Sequence, residues 1–291
     1  MIVDLHTHSS ASDGGYSPDQ LIREAAKRGL SAIALTDHDT LNGLKTAENE
    51  AKAAGIRFIA GIEINIQWPP RAASAAKVPR LGPGGEFHLL GLGIQSPSPA
   101  FLAAIETLSR RREERNREIL SRINALGIDA VWEDILSLSP NSYSIGRPHF
   151  ASLLVMKKIA KDSEQAFARY LKPGKPLFVP KTGLDFEEAA ALIRESGGIS
   201  VLAHPLSLSV GWDSLPELIK ALKDRGLIGI EAWHPTAKKN FCRRLEKLSR
   251  ELNLCITEGS DFHGNFHPYR QLGYSGHGRA ISDAILEALP F

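Results

Sequence analysis

Ile2-Val3-Asp4-Leu5-His6-Thr7-His8 is a short apolar run that ends in two histidines spaced two residues apart. Six further apolar, β-rich runs follow it along the chain, at residues 32–35, 58–66, 87–94, 199–203, 228–233 and 255–258. Most of these runs are followed by a helical pattern, and hydrophobic strands that alternate with helices are typical of a parallel sheet covered by helices. The pattern therefore predicts an α/β fold in which seven parallel strands form a barrel.

Two segments interrupt the alternation of strands and helices. Residues 68–85 are rich in Pro, Ala and Gly and lack periodicity, which predicts a mobile loop. Residues 97–180 have mainly helical patterns and no convincing strand. We therefore expect a barrel domain formed by residues 1–96 and 181–291, with residues 97–180 inserted as a helical domain that caps the barrel mouth.

Composition limits the class of protein. The chain has 35 basic and 33 acidic residues, a balance that excludes a protein whose main task is to coat nucleic acid. Its two cysteines, Cys242 and Cys255, favour a reducing compartment over a disulfide framework. Because no run reaches membrane-spanning length and the N-terminus lacks a secretory pattern, we expect a cytoplasmic protein with no membrane association. The sequence indicates no protein partner.

Six of the ten histidines fall at or just beyond the ends of predicted strands, together with three carboxylates. His6 and His8 point the same way because side chains on a strand repeat every two residues. In a parallel barrel the segments that follow the strands converge at one face, so residues distant in sequence meet there. The predicted cluster consists of His6, His8, Asp13, His38, Glu63, His88, His204, Asp261 and His263.

This cluster predicts bound divalent cations. Any one member alone is more often a satisfied, partly buried residue, but nine titratable groups at one face would repel or stay unpaired without cations. Burying unpaired charge costs several kcal/mol. Imidazole and carboxylate ligands without thiolate suit Mn, Fe or Zn better than Ca or Mg. Two such cations about 3.5–4 Å apart activate a bridging water and hold phosphoryl oxygens, so a metal hydroxide would serve as the nucleophile.

The chain resembles the PHP (polymerase and histidinol phosphatase) family through motifs that occur in the family's order. They are Asp4-Leu5-His6-Thr7-His8-Ser9, Thr36-Asp37-His38, Gly61-Ile62-Glu63, Ala203-His204-Pro205 and Gly259-Ser260-Asp261-Phe262-His263-Gly264. The resemblance spans almost the whole chain. It implies a distorted, seven-stranded (β/α)7 TIM-like barrel that binds two or three divalent metal ions, with manganese favoured.

The resemblance also implies a set of ligands for each metal. His6, His8, Glu63 and Asp261 would hold the first metal, and Glu63 would bridge to a second metal held by His88 and His204. Asp13, His38 and His263 would hold a third. Catalysis would fall to the first two groups, through His6, His8, Glu63, Asp261 and His204. Some family members have histidine in place of Asp13, so we expect the third site to be weaker or to prefer a harder cation.

The predicted insertion offers candidate substrate contacts. Residues 99–126 predict a helix whose inward stripe contains Leu102, Ile105, Ser109, Arg112, Asn116, Ile119, Ile123 and Leu126. Arg112 and Asn116 interrupt this apolar face and are predicted to contact substrate, whereas the other charges of residues 110–117 indicate a solvated helix surface.

Gly146-Arg147-Pro148-His149 is a second candidate for substrate binding. Arg147 and His149 flank a predicted helix start, where a guanidinium can bind phosphate bidentately; a turn with a surface arginine is the alternative. His234 and His267 lie near the loops of the barrel mouth. They are candidate substrate-binding residues, which would either donate a proton to the leaving oxygen or support the metal ligands.

The Gly-Arg-Pro-His motif resembles the TrpH-like phosphoesterases within the PHP family, which include phosphatases of nucleoside 3′,5′-bisphosphates. The resemblance implies removal of the 3′-phosphate from a compound such as adenosine 3′,5′-bisphosphate, which leaves the 5′-monophosphate. Three alternatives remain: a 5′–3′ exonuclease of short RNA or DNA oligonucleotides, a histidinol phosphate phosphatase, and a non-catalytic, metal-stabilised binding module. The expected partner is therefore a nucleotide or a short oligonucleotide.

Overall fold

The computed structural model describes residues 1–75, 85–138, 145–264, 267 and 269–291. Within this part of the chain, seven strands form one sheet whose spatial order equals their order in sequence. They are β1 (Ile2–Asp4), β2 (Leu30–Leu35), β3 (Arg57–Ile66), β4 (Phe87–Leu92), β5 (Ile199–Leu202), β6 (Gly229–Trp233) and β7 (Cys255–Glu258). All seven predicted strands are thus confirmed, and their ends lie within about two residues of the predicted ones.

Helices cover most connections between the strands. They are α1 (Pro18–Lys27), α2 (Leu44–Ala54), α3 (Arg71–Ala75), α4 (Pro99–Ala125), α5 (Trp132–Leu138), α6 (Arg147–Met156), α7 (Ser163–Ala166), α8 (Phe186–Glu195), α9 (Leu215–Lys223) and α10 (Lys239–Glu251). At the start of α1 the Ser17 backbone N–H donates to Gln20 Oε1 at 3.1 Å, and Pro18 occupies the first turn. None of the described helices combines the length and the apolar content needed to cross a bilayer.

The strand β4 runs antiparallel to both β3 and β5, so the prediction of an all-parallel barrel is wrong at this strand. The only helix described between β3 and β4 is the five-residue α3, whereas a parallel crossover usually contains a longer helix. Reversal brings the beginning of β4 beside the end of β3, where Asn65 pairs with His88. His88 consequently reaches the same end of the sheet as the residues that follow the parallel strands.

One parallel bridge connects the segments that follow the first and last strands. It joins Thr7 to Phe262, and the His8 backbone N–H donates to the Phe262 carbonyl at 2.9 Å. This bridge brings the residues after β1 next to those after β7. Closure of the whole sheet into a TIM-like barrel stays a prediction.

The described elements between β4 and β5 are all helical: α4 to α7, then a π-helical turn at Phe167–Leu171, and finally α8. Ile119, Phe150 and Leu171 belong to a hydrophobic cluster separate from the core against the sheet. The first half of α4 instead packs on that sheet core through Phe101 and Leu108. The helix α4 therefore links two hydrophobic cores.

The predicted inward stripe of α4 is wrong at both ends. Leu102 and Leu126 are 52% and 49% exposed, whereas Phe101, Ala104 and Leu108 are buried. The sequence offers apolar residues on two adjacent faces of the first turns, and packing against the sheet selects the face of Phe101. In the predicted loop of residues 68–85, α3 forms a short helix, and residues 76–84 lie outside the described residues.

Candidate metal centre and active site

The nine predicted ligand residues lie together at one end of the sheet. They form four overlapping groups in which potential ligand atoms lie within 4.8 Å of one another: His6, His8 and Asp261; His6, Glu63 and His204; His38, Glu63 and His88; and His8, Asp13, His38 and His263. Most of these residues follow the carboxyl end of a parallel strand, and His88 joins them through the reversal of β4. The fold thus gathers side chains from along the whole sequence.

The spacing within the first group suits a small cation. His6 Nε2 and His8 Nε2 are 3.1 Å apart, and His8 Nε2 lies 3.3 Å from Asp261 Oδ1. Ligand atoms that surround a zinc-sized ion tetrahedrally are separated by about 3.4 Å, given bond lengths of roughly 2.0–2.2 Å. The two imidazole nitrogens lie within hydrogen-bond distance of each other, and the same spacing fits joint ligation of one cation.

The Glu63 carboxylate lies between the groups. Its Oε1 is 2.9 Å from His88 Nδ1 and 2.7 Å from His204 Nε2. Its Oε2 is 3.0 Å from His38 Nδ1 and 3.2 Å from His8 Nε2, without hydrogen-bond geometry. The two oxygens of this carboxylate therefore face different sets of imidazoles.

Asp13 belongs to the group that also contains His8, His38 and His263. Asp13 Oδ1 lies 3.2 Å from His263 Nε2 and 4.0 Å from His8 Nδ1, and Asp13 Oδ2 lies 3.9 Å from His38 Nε2. The resemblance implied Asp13, His38 and His263 here, and the structure adds His8 through its second ring nitrogen. His38 also approaches Glu63 and His88, which the implied ligand sets did not include.

Three buried polar atoms of this cluster have no hydrogen-bond partner among the described residues: His8 Nδ1, Asp13 Oδ1 and Glu63 Oε2. An unsatisfied buried polar atom costs about 1–3 kcal/mol, and a charged one costs more. Imidazole nitrogens and carboxylate oxygens are ligands of divalent transition metals. The residues present therefore fit a group of divalent cations.

Electrostatic interactions keep the three ligand carboxylates ionised. Burial alone would raise the pKa of Glu63, but the surrounding His38, His6 and His88 hold it well below its usual range. At Asp13, His263 and His38 outweigh the effect of burial and strongly lower the pKa. At Asp261, Arg270 and His6 do the same. All three are therefore in the deprotonated form that metal binding requires.

Several residues that hold the predicted ligands in place were not predicted from the sequence. Asp37 is buried and accepts hydrogen bonds from the Ser9 backbone N–H at 2.8 Å and from Ser12 Oγ at 2.5 Å, which orders the loop that leads to Asp13. Arg270 Nη1 donates to Asp261 Oδ2 at 2.6 Å. Glu231 lies in an apolar strand, where an isolated acid is the kind of sequence signal that marks a buried polar contact.

A cavity of about 390 Å³ is lined by seven of the nine predicted ligand residues, all except His6 and His8. The cavity is also lined by a group of cationic side chains that we call the wall: Arg111, Arg112 and Arg115 of α4, Arg147 of α6, and Lys181. Glu86 lines the cavity beside them. The predicted contacts Arg112 and Arg147 both reach the cavity, where Arg112 pairs with the carboxylate of Asp39 and Arg147 pairs with that of Glu86. Lys181 Nζ lies 3.1 Å from His88 Nε2 and 4.0 Å from Glu86 Oε2, so it joins this wall to the ligand cluster.

Arg115, unlike Arg112 and Arg147, forms no ion pair with a carboxylate among the described residues. Its side chain lines the cavity although the residue is only 9% exposed, and its Nε donates to the Val179 carbonyl at 2.8 Å. Its buried Nη2 has no hydrogen-bond partner in the described chain. Burial, reinforced by Arg147 and Arg112, lowers the pKa of Arg115 to about 10. The guanidinium remains charged at neutral pH and is suited to an anion in the cavity.

The other two predicted substrate contacts of the insertion, Asn116 and His149, are buried outside the cavity lining. Asn116 Nδ2 donates to the Ile145 carbonyl at 2.8 Å, and His149 Nδ1 accepts the Gly146 backbone N–H at 3.0 Å. Both hold the backbone that precedes Arg147. A helical pattern cannot distinguish a polar side chain that faces a cavity from one that satisfies a nearby backbone group.

His234 and His267 both line the cavity. His234 Nε2 lies 3.1 Å from Asp261 Oδ2, and the His267 ring packs against His263 with centroids 5.3 Å apart. Burial lowers the pKa of His234, and burial together with Arg270 lowers that of His267 to about 4. Both imidazoles are therefore neutral at neutral pH, which favours support of the ligands over donation of a proton. The flanking Phe266 and Pro268 lie outside the described residues.

Comparisons with known proteins agree with this site. The PHP domain model matches residues 4–173. The 3′,5′-nucleoside bisphosphate phosphatase of Chromobacterium violaceum is 32% identical, over 94% of this chain and 91% of the relative. The 5′–3′ exoribonuclease of Haemophilus influenzae is 33% identical over 89% of each chain. The phosphoribosyl 1,2-cyclic phosphate 1,2-diphosphodiesterase of Eggerthella lenta is 32% identical, over 94% of this chain and 98% of the relative.

Solved structures show the same relationship. A Chromobacterium violaceum protein described as an amidohydrolase with bound sulfate and no metal superposes with a TM-score of 0.82 at 30% identity, covering 97% of this chain and 93% of that one. A protein from Bifidobacterium adolescentis, described as a putative metal-dependent phosphoesterase, superposes with a TM-score of 0.81 at 25% identity, covering 98% of this chain and 94% of that one. The chain therefore belongs to the PHP domain family and is a metal-dependent phosphoesterase, a hydrolase of phosphoric ester bonds.

Proposed function

We propose that the chain removes the 3′-phosphate from nucleoside 3′,5′-bisphosphates such as adenosine 3′,5′-bisphosphate. One observation carries the proposal: a single cavity joins the metal-ligand cluster to a wall of cationic side chains that includes the unpaired Arg115. The ligand cluster suits the phosphate that is cleaved. The cationic wall suits a second phosphate, and the name of the Chromobacterium violaceum relative supports this choice.

The proposed cofactors are two or three divalent cations of the Mn, Fe or Zn type, with manganese favoured. His6, His8, Asp261 and Glu63 would hold the first, and Glu63, His88 and His204 the second. Asp13, His38 and His263, joined by His8, would hold the third. When bound, such cations supply Lewis acidity and an activated water at neutral pH.

The chain's own residues would bind and orient the substrate. Lys181 contacts both His88 and Glu86, a position that suits binding of the cleaved phosphate beside the ligand cluster. Arg115 and Arg147 line the same cavity, and we assign binding of the second phosphate to these two guanidiniums. Arg112, held by Asp39, completes this wall.

The proposed domain division follows from the same wall. We assign residues 1–96 and 181–291 to a TIM-like barrel domain and residues 97–180 to a cap. The separate hydrophobic cluster around Phe150 supports a cap with its own core. The guanidiniums of Arg115 and Arg147, which come from helices of this segment, support its position over the barrel mouth.

The described side chains argue against histidinol phosphate as the main substrate. Its amine would enter a wall already rich in guanidiniums, and like charges in a partly buried cavity repel. An exonuclease acting on 5′-phosphorylated oligonucleotides is the second candidate, because the terminal nucleotide of such a strand also carries a 5′-phosphate and an esterified 3′-phosphate, which is a diester there and a monoester in the bisphosphate. The Haemophilus influenzae exoribonuclease is 33% identical to this chain, and the Chromobacterium violaceum bisphosphate phosphatase is 32% identical. Sequence identity therefore supports the two candidates equally.

A substrate panel tests the proposal. With saturating Mn²⁺, we expect kcat/KM for adenosine 3′,5′-bisphosphate to exceed that for 3′-AMP by about 10- to 150-fold, because hydrogen bonds to a charged group contribute about 1.5–3 kcal/mol. The Arg115→Ala variant should reduce this ratio to near one. Histidinol phosphate should be a poor substrate. Phosphate release by colorimetric assay gives each rate.

Arg117→Ala is the matched control, because Arg117 lies on the same helix but pairs with Glu113 at the surface. It should keep the wild-type ratio. Equal rates for the bisphosphate and 3′-AMP, or a preference that persists in Arg115→Ala, would contradict the assignment of the second phosphate. A ladder of shortened products from a 5′-phosphorylated oligonucleotide, with steep salt dependence, would support the exonuclease instead.

A further inference from the structure

We propose that Glu231 is a positioning residue that fixes His6 and His204 together, and thereby sets the affinity of two cation positions at once. This inference rests on the proposed binding of cations by these histidines. Glu231 lies on β6 and is 1% exposed. Its two oxygens contact two residues that are almost 200 positions apart in the sequence, and neither oxygen belongs to the nine predicted ligands.

The first contact determines which nitrogen of His6 carries the proton. Glu231 Oε1 lies 2.9 Å from His6 Nδ1. An ionised carboxylate only accepts hydrogen bonds, so Nδ1 must carry a proton, which leaves Nε2 as the nitrogen that can bind a cation. Nε2 is the atom that lies 3.1 Å from His8 Nε2 and 3.3 Å from Glu63 Oε2. Glu231 thus turns the ligand nitrogen of His6 toward the cluster.

The second contact holds the backbone of His204. This residue has φ 27° and ψ 67°, a left-handed conformation that residues with a β-carbon rarely adopt. Glu231 Oε2 accepts the His204 backbone N–H at 2.7 Å. In this conformation His204 Nε2 lies 2.7 Å from Glu63 Oε1 while Nδ1 bonds Ser207 Oγ at 2.9 Å. One carboxylate therefore supports ligands that belong to different groups.

Close packing around Glu231 and His6 agrees with a fixed arrangement. A β-carbon at Gly259 would lie 2.3 Å from His6 Cβ and 2.6 Å from Glu231 Oε1. Only glycine leaves enough space for these two side chains to meet. The glycine that follows β7 therefore allows the contact between Glu231 and His6.

Glutamine cannot reproduce both contacts, although it has nearly the same shape. Both partners of Glu231 donate hydrogen bonds, and glutamine has one accepting oxygen and one donating amide. If that oxygen serves His204, the amide faces His6 Nδ1 and drives the proton to Nε2, where it blocks the ligand lone pair. If the oxygen serves His6, the His204 N–H loses its acceptor and the unusual backbone conformation loses its support.

The test compares Mn²⁺ binding of metal-stripped wild type, Glu231→Gln and the control Glu258→Gln. Glu258 is a buried carboxylate on the neighbouring β7, bonded to Arg279 and Ser275 and not to a predicted ligand. Circular dichroism of each stripped protein establishes that it is folded. Isothermal titration should show affinity about 10- to 100-fold weaker at two positions in Glu231→Gln, the usual effect of losing a residue that orients a metal ligand. Glu258→Gln should bind like wild type.

Wild-type affinity in Glu231→Gln would overturn the inference, as would equal weakening in both variants. Nitrogen-15 NMR of His6 in the stripped wild-type protein is a second test that needs no variant. We expect a proton on Nδ1, and an Nδ1 that carries no proton would also overturn the inference. Because neither measurement uses a nucleotide, the outcome is separate from the bisphosphate preference, which can fail while Glu231 still controls Mn²⁺ affinity.

Discussion

The Glu63→Gln variant should release phosphate at least about 10³-fold more slowly than wild type, a loss of about 4 kcal/mol in transition-state stabilisation. Glu63 is the carboxylate that faces His88 and His204 with one oxygen and His38 and His8 with the other. Glutamine removes the negative charge shared by these imidazoles and offers one oxygen instead of two. Steady-state kcat at saturating Mn²⁺ and bisphosphate measures the loss.

The Glu258→Gln variant is also the control for this prediction, because it neutralises another buried glutamate of the sheet without touching the cluster. It should keep kcat within about threefold of wild type, as expected for a change outside the reacting groups. A Glu63→Gln protein that is folded and loses less than about tenfold in kcat would show that the bridge is dispensable.

Removal of divalent cations should abolish turnover and lower the thermal midpoint by roughly 5–10 °C. A ligand present at 100 times its Kd stabilises a protein by about 2.7 kcal/mol, and in a protein of this size each kcal/mol shifts Tm by about 2–4 °C. The cluster is expected to depend on cations because buried atoms of Asp13 and Glu63 have no hydrogen-bond partner in the described chain. Differential scanning fluorimetry with EDTA measures the shift.

Excess Mn²⁺ added after EDTA should restore both activity and Tm, whereas Mg²⁺ should restore less because imidazole ligands suit harder cations poorly. An apoprotein that keeps its Tm and its rate of phosphate release after thorough chelation would contradict this prediction.

The sequence predicted the strands and the nine residues that lie together at the end of the sheet, because both depend on local patterns. The run ending in His6 and His8 needs only strand periodicity to align two imidazoles. The direction of β4 could not be predicted from the sequence, since apolar content identifies a strand and not its direction. His88 still joined the cluster because reversal placed the beginning of β4, and not its end, beside the end of β3.

The supporting contacts were not predictable because they depend on tertiary packing. Glu231 meets His6 across 225 residues of sequence. Arg115 was predicted to be part of a solvated helix surface, a description that holds for Arg117 and its pair Glu113 but not for a guanidinium that is 9% exposed. Asn116 was identified correctly as an unusual polar residue on the helix, but its partner is the Ile145 carbonyl and it does not line the cavity.

Substrate identity depends on the part of the site that the family motifs do not contain. Relatives at 32–33% identity are named as a bisphosphate phosphatase, an exoribonuclease and a cyclic phosphate diphosphodiesterase. The motif residues His6, His8 and Asp261 lie at the sheet, whereas Arg115 and Arg147 come from the helical segment. We therefore expect differences in substrate specificity among these relatives to come from the helical segment.

We propose that nine side chains bind divalent cations jointly at one end of the sheet. Anomalous X-ray diffraction from crystals grown with Mn²⁺, recorded at the manganese edge, tests it most directly. We expect at least two anomalous peaks within roughly 2.0–2.5 Å of ligand atoms, one beside His6, His8 and Asp261 and one beside His88 and His204, with Glu63 between them. Ligand side chains that stand apart, with no anomalous peak among them, would contradict the account.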